Sequence, residues 1–146
     1  MGHKVSPISF RLQVSKNWQS RWFAERGYAD LLHEDLKIRS YILKDLGMRA
    51  GVARVEIERN ANQVSINIHT SRPGVVIGRG GAGASDLKAK LSKMTKGKIK
   101  DINILEIRKP EANAQLIADN IAQQLEKRIP FKRTMRQAVE KASKKA

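Results

Sequence analysis

The stretch Arg72–Gly83 reads R-P-G-V-V-I-G-R-G-G-A-G, and it holds five of the ten glycines in the chain. It stands between an alternating apolar run, Val64, Ile66 and Ile68, and a helical pattern over 84–94. Glycine tolerates the positive φ angles of a tight loop and has no side chain to keep a ligand away. Backbone N–H groups at the start of a helix are unpaired, and the helix dipole makes that end partly positive. The stretch therefore predicts a loop that brings bare backbone against an anion.

The net charge of the chain is strongly positive. Its 146 residues include 29 Lys and Arg against 14 Asp and Glu, which gives a formal net charge of +15. This excess is larger than the solubility of a small domain requires, and it favours a polyanionic partner such as RNA, DNA or an acidic membrane. The length favours one domain with appendages.

Several classes of protein are disfavoured by what the composition lacks. The chain contains no cysteine, so disulfides, thiol catalysis and thiolate zinc sites are excluded. No apolar run approaches the ~20 residues of a membrane span, and the N-terminus lacks the apolar stretch of a signal peptide. These features predict a protein of the cytoplasm, with an organelle matrix as the alternative.

Apolar periodicity outlines the elements on either side of the glycine stretch. A helix is predicted over Asp30–Leu46, with Asp30 as its N-cap, Gly47 as its stop and Asp35 paired with Arg39. A hairpin follows over 53–69, and its turn is placed at 60–62. A third strand over 99–107 changes phase near its end, which either a bulge or burial of both faces would explain. Helices begin at Pro110 and after Pro130.

Residues 1–29 form a basic arm that carries five of the seven aromatic residues. Its cations are expected to contact phosphates, because a basic segment lies readily along nucleic acid. For its rings, including Trp18 and Trp22, the favoured interpretation is packing onto the domain. Stacking on bases is the alternative.

The glycines Gly78, Gly80 and Gly83 also match G-x-G-x-x-G, the dinucleotide fingerprint, and Glu106 could bind a ribose. That match is weak because Pro73 and Gly74 interrupt the preceding strand, and because only two helices follow the third strand. A P-loop is excluded, since no Gly-Lys-Ser/Thr follows. The histidines are scattered without ligand spacing, so the sequence predicts no enzyme, no metal and no cofactor.

Residues Ile77–Gly81 instead match I-G-x-x-G, the loop with which a KH domain clamps about four nucleotides. The order of elements resembles the type II KH arrangement. The predicted fold class is therefore α+β: a type II KH domain over 30–109, with a three-stranded mixed sheet and helices packed on one face. The arm over 1–29 precedes it, and C-terminal helices over 110–146 follow it. Predicted RNA-binding residues are Lys4, Arg11, Lys16, Arg21, Arg72, Gly78, Arg79, Gly80, Gly81 and Lys88.

Motifs along the whole chain resemble the small-subunit ribosomal protein three family of bacterial type. They are G-H-K-V-S-P at Gly2–Pro7, W-Q-S-R-W-F-A at Trp18–Ala24, the stretch Ile68–Gly74 with the loop after it, E-I-R-K-P-E at Glu106–Glu111, and the segments Gln124–Arg128 and Phe131–Arg136. The order of the motifs matches that of the family. One departure is Arg79-Gly80, where many relatives carry two charged residues, so that phosphate contact at the loop would depend on Arg79 alone.

The resemblance implies a structural protein in the head of the small ribosomal subunit. Such a protein binds small-subunit rRNA, adjoins neighbouring head proteins and helps to form the channel through which mRNA enters, with no membrane partner. The family's mRNA-facing basic residues correspond to Lys132, Arg133 and Arg136. The family continues into a second α/β domain, before which this sequence ends. The alternative is a free-standing KH-domain protein that binds RNA or acts as an RNA chaperone.

Overall fold

A computed structural model describes residues 2–60 and 63–145 of the chain. Its centre is a mixed sheet of four strands: β1 (Ser20–Arg21), β2 (Val52–Asn60), β3 (Gln63–Thr70) and β4 (Lys98–Glu106). The strands lie in the order β1-β2-β3-β4. The β2 and β3 strands are antiparallel, whereas β1 runs parallel to β2 and β4 runs parallel to β3. The predicted turn of the hairpin falls partly outside the described residues.

Six helices accompany the sheet in the described ranges: α1 (Pro7–Phe10), α2 (Tyr28–Leu46), α3 (Pro73–Ile77), α4 (Ala82–Ser92), α5 (Ala114–Glu126) and α6 (Phe131–Lys145). Short helical turns lie at Gly47–Gly51, Arg79–Gly81 and Pro110–Ala112. The α2 helix begins two residues earlier than predicted, because Gly27 in the left-handed conformation is its N-cap. Asp30 lies in the first turn, where its carboxylate still interacts favourably with the helix dipole.

The core lies between one face of the sheet and the helices. Val64, Ile66 and Ile68 of β3 are buried on this face. They belong to one apolar cluster with Ile38 and Ile42 of α2 and with Leu87 and Leu91 of α4. The opposite side of β3 carries Ser65, Asn67 and His69, which are only partly buried. The alternation therefore predicted correctly which side of the sheet the helices cover.

The predicted count of three strands was too low by one. The additional strand, β1, comes from the arm, and its two residues pair with Ile57 and Glu58 of β2. The N–H of Ile57 also donates to the carbonyl of Gln19 at 2.9 Å. A strand of two residues has no alternation to detect, because at least four residues are needed to display a period of two.

The phase change in β4 has a different position from the one expected. Val64 pairs with Ile99 and Ser65 pairs with Asp101, so Lys100 is the extra residue of a bulge. The bulge brings Ile99 and Ile102 to the same side of the sheet. Leu105 is exposed, so burial of both faces at the strand end is wrong.

The predicted pair of Asp35 and Arg39 is also wrong. Asp35 is fully buried and contacts Arg59 of β2, with 2.6 Å between Oδ1 and Nη2. Its other oxygen accepts a hydrogen bond from Nε1 of Trp22 at 2.7 Å. Arg39 instead donates to Oγ of Ser20 at 3.0 Å. A carboxylate on the buried side of a helix pairs across the core, where no water replaces a lost partner.

Thr70, at the end of β3, connects the sheet to the glycine stretch. Its buried Oγ1 donates to the carbonyl of Ala50 at 2.6 Å and accepts from the N–H of Arg72 at 3.1 Å. We expect Thr70→Val to lower the free energy of unfolding by about 1–2 kcal/mol, the net contribution of two hydrogen bonds. The loss stays moderate because the carbonyl of Ala50 and the N–H of Arg72 remain bonded to each other at 3.1 Å. Urea unfolding measures this change. The control Ser71→Ala removes only longer contacts, 3.5 Å and 3.4 Å, and should have a smaller effect. Equal effects would contradict the role of Thr70.

Candidate nucleic-acid interface

The glycine loop joins two helices, as the sequence predicted. The α3 helix ends at Ile77, Gly78 follows with φ 71° and ψ −178°, and α4 begins at Ala82. Gly80 and Gly81 also have positive φ, 60° and 82°. Side chains disfavour positive φ, and most strongly the combination of φ 71° and ψ −178° at Gly78, so the loop backbone favours glycine at these positions.

The backbones of α3 and α4 are in direct contact behind the loop. A Cβ atom on Gly78 would lie 2.9 Å from the backbone nitrogen of Gly83. A Cβ atom on Gly83 would lie 2.7 Å from the carbonyl oxygen of Val76. Sequence reasoning gave Gly83 no role in this contact, although its place as the last glycine of the stretch was a usable signal.

The outer surface of the loop combines a cation with apolar side chains. Arg79 and Gly80 are exposed. Val75 and Ile77 of α3 are also exposed, whereas Val76 between them is buried and fixes the helix to the core. Arg72, directly before α3, is exposed as well. A sugar–phosphate strand placed here would meet bare backbone and positive charge, and apolar side chains would lie beside its bases.

Two of the predicted RNA-binding cations have contacts within the protein. Arg21 of β1 forms ion pairs with Glu56, at 3.4 Å, and with Glu58, at 2.5 Å. Lys88 of α4 donates from Nζ to the carbonyl of Lys100 at 2.7 Å, which fixes α4 to the bulge of β4. These contacts give both residues a structural role that the sequence did not indicate. Their RNA contact stays a prediction.

The other arm cations that were predicted to bind RNA, Lys4, Arg11 and Lys16, are exposed. Among the described residues, no carboxylate lies within ion-pair distance of them.

The rings of the arm differ from expectation. Trp22 packs, with its ring centre 4.9 Å from that of Tyr28. Trp18 is exposed, and so are Phe10 and Phe23, so the expected packing is wrong for these three rings.

A third group of cations lies on α6. Lys132, Arg133 and Arg136 are exposed, and they fall within a little more than one helical turn. Thr134 of the same helix is buried, and its Oγ1 donates to the carbonyl of Pro130 at 3.3 Å. The side of the helix that carries Thr134 is thus packed against the protein, while the three cations face solvent. Among the residues that the structure describes, no hydrogen bond or ion pair joins the arm, the loop and this cluster.

The geometry contradicts the dinucleotide alternative. That fingerprint follows a strand directly, and its pyrophosphate lies where the strand meets the helix. Here Gly78 follows the helix α3, and Glu106 is the last residue of β4, a strand at one edge of the sheet.

Residues 2–60 and 63–145 contain no group of three or more acidic or histidine side chains that could hold a metal ion. None of their helices is long and apolar enough to cross a membrane.

Comparison with known families agrees with this geometry. Residues 37–112 match the family model of the KH domain, an RNA-binding class of fold. Over 144 residues the chain is 53% identical to the small ribosomal subunit protein uS3 of Myxococcus xanthus. The matched region covers 99% of the chain and 64% of that relative. The uS3 protein of Pelobacter propionicus is also 53% identical, over 99% of the chain and 68% of the relative. The chain belongs to the small ribosomal subunit protein uS3 family.

Family membership confirms the predicted α+β KH fold and the resemblance on which the functional expectations depend. The relatives are named as ribosomal proteins, a structural class, which agrees with the expectation that the chain is not an enzyme. The uS3 protein of Syntrophomonas wolfei is 51% identical over 95% of the chain and 60% of its own length. The chain thus spans less than two thirds of the Myxococcus and Syntrophomonas relatives.

Proposed function

We propose that this chain is a structural protein of the small-subunit head and that it binds small-subunit rRNA. The observation that carries the proposal is the loop Gly78–Gly81, in which three glycines with positive φ display backbone and Arg79 beside exposed apolar side chains. This arrangement fits a sugar–phosphate strand. The named small-subunit relatives support rRNA as the source of that strand. Lys4, Arg11, Lys16, Arg72 and Arg79 would supply phosphate contacts.

We further propose that Lys132, Arg133 and Arg136 flank the channel through which mRNA enters the subunit. Their exposure on a helix held by its opposite side supports this role, because a rigid helix keeps the three cations in a fixed arrangement. Neighbouring head proteins would be further partners. The proposed location is the ribosome of the cytoplasm, since the relatives come from bacteria and none supports an organelle matrix.

The proposed organisation keeps the boundaries expected from sequence. The arm over 1–29 and the KH domain over 30–109 would form the rRNA-binding part. The helices over 110–146 would carry the mRNA-facing cluster and lead toward a second domain. Limited proteolysis of the folded chain tests the boundary between 109 and 110, because flexible or exposed junctions are cleaved first. The boundary between 29 and 30 falls in the first turn of α2, so cleavage there is expected before Tyr28.

Salt dependence tests the proposed RNA binding. We expect the affinity for a small-subunit rRNA transcript to fall linearly on a log–log plot against salt, since each neutralised phosphate releases counterions. Charge reversal of Lys132, Arg133 and Arg136 to Glu should reduce the slope for a structured mRNA by about 2, if each residue contacts one phosphate. The matched control reverses Lys141, Lys144 and Lys145 on the same helix, which changes the net charge equally. An equal effect of both triple variants would contradict a specific mRNA-facing cluster.

The second candidate is a free-standing KH protein, which would use the same loop Gly78–Gly81, where Arg79 and Gly80 are exposed. It predicts binding of single-stranded RNA that is lost in the double variant Arg79→Asp, Gly80→Asp. If that variant instead binds RNA normally while the triple reversal on α6 abolishes binding, the loop is architectural. Co-sedimentation with small subunits that have been depleted of their own uS3 protein separates the candidates, because only the ribosomal protein should co-sediment at stoichiometric amounts.

A further inference from the structure

The arm is held rigidly between residues 19 and 22. Its backbone joins the sheet through β1, and the carbonyl of Gln19 accepts the N–H of Ile57 at 2.9 Å. Trp22 then donates to Asp35 at 2.7 Å, and the guanidinium carbon of Arg59 lies 5.9 Å from the centre of its ring. This part of the arm is therefore fixed to the domain by hydrogen bonds and a partly buried ring.

Two further rings stand directly on either side of the fixed segment, and both face solvent. Trp18 is 55% exposed and Phe23 is 84% exposed. Burial of such rings is strongly favourable, so a pair that the fold leaves uncovered indicates a surface for a partner. The fixed backbone between them holds both rings in place before any partner binds, which reduces the entropy lost on binding.

The charge around these rings selects the partner. Residues 2–24 include Lys4, Arg11, Lys16 and Arg21 but no Asp or Glu. Arg21 is neutralised by Glu56 and Glu58, whereas Lys16, two residues before Trp18, is exposed. The partner must therefore supply negative charge and flat apolar faces close together. An RNA strand with unpaired nucleotides supplies both at every residue, because each phosphate is followed by a base.

We propose that Trp18 and Phe23 are base-stacking residues for unpaired RNA nucleotides, with Lys16 on an adjoining phosphate. This assignment rests on the proposed RNA-binding function and adds a ligand chemistry to it. Unpaired bases are required because the faces of paired bases are covered by their neighbours in an A-form helix. Stacking accepts any base, so the site selects for single-stranded character and not for sequence.

The test compares a short oligouridylate with a blunt RNA duplex of about the same length, both bound to the 146-residue chain. Trp18→Leu and Phe23→Leu remove the rings and keep apolar side chains at exposed positions. Each should weaken binding of the single strand at least about fivefold, and neither should change the slope of affinity against salt. Binding of the duplex should stay unchanged. Lys16→Gln should instead reduce the salt slope by about 1.

Val14→Ser is the matched control, because it removes an exposed apolar side chain of the same arm that has no aromatic face. It should bind both RNAs as the unaltered chain does. Unchanged single-strand affinity in both ring variants, with the salt dependence intact, would overturn the stacking site and leave the proposed function standing. If the unaltered chain binds neither RNA, the proposed function itself fails. If the ring variants bind both RNAs normally but no longer join small subunits, the rings contact a protein, and the inference is wrong.

Discussion

Asp35→Ala is expected to lower the free energy of unfolding by about 3–5 kcal/mol, the largest single effect that this fold predicts. Asp35 is fully buried and the Arg59 side chain is 6% exposed, so the alanine variant leaves a buried guanidinium without its main counter-charge. Nε1 of Trp22 also loses its acceptor. Glu34 stays 3.2 Å from Nη1 of Arg59 and should hold the loss near the lower end of that range.

Urea unfolding followed by tryptophan fluorescence measures this effect. The matched control is Glu111→Ala, which removes the exposed ion pair with Lys145, whose atoms are 3.6 Å apart. Exposed pairs of this kind contribute at most about 1 kcal/mol, because water and salt screen both charges. A loss in Asp35→Ala no larger than that in Glu111→Ala would show that the buried cluster does not stabilise the fold.

A double variant separates the loss of the ion pair from the loss of packing. Asp35→Leu with Arg59→Met replaces both charges by apolar side chains, which in other buried pairs is often close to neutral. We expect the double variant to be more stable than Asp35→Ala, with a remaining deficit from the unpaired Nε1 of Trp22. A double variant less stable than Asp35→Ala would mean that packing, and not charge, dominates at this position.

Local sequence patterns determined most of the fold. The β3 strand shows a clear period because one side of it packs against the core. The apolar stripe of α2 also predicted a helix, although Asp35 and Arg39 interrupt it. The glycine stretch was equally informative, since a backbone with three positive φ angles admits few residues other than glycine. Predictions of this kind need only residues within one or two turns of each other.

Contacts between residues far apart in the sequence could not be predicted in the same way. Asp35 has Arg39 at helical spacing, but its partner is Arg59, on a strand 24 positions later. No local pattern distinguishes these two arginines. Exposure of Trp18 and partial burial of Trp22 likewise depend on where β1 joins the sheet. A segment of mixed aromatic and basic residues has the same local sequence pattern whether its rings are buried or exposed.

Gly78→Ala is expected to destabilise the chain by about 3 kcal/mol or more and to disrupt the loop for which we propose RNA binding. The combination of φ 71° with ψ −178° is nearly restricted to glycine, and a side chain there costs of order 1–3 kcal/mol. The added Cβ would also lie 2.9 Å from the backbone nitrogen of Gly83, so α3 and α4 must move apart. Circular dichroism during urea unfolding measures the loss, and binding of single-stranded RNA should weaken with it.

Two neighbouring glycines separate these causes, because each has only one of them. Gly80 has φ 60° and open space around its missing Cβ, so Gly80→Ala should cost only about 1–2 kcal/mol from the left-handed backbone. Gly83 lies in α4 without positive φ, so any loss in Gly83→Ala arises from the 2.7 Å approach to the carbonyl oxygen of Val76. Overpacking of this kind costs about 1–3 kcal/mol. This cost exceeds the gain of up to about 1 kcal/mol that comes from replacing glycine by alanine in a helix. If Gly83→Ala stabilises the chain, the contact between α3 and α4 does not constrain the loop, and Gly78→Ala should then resemble Gly80→Ala.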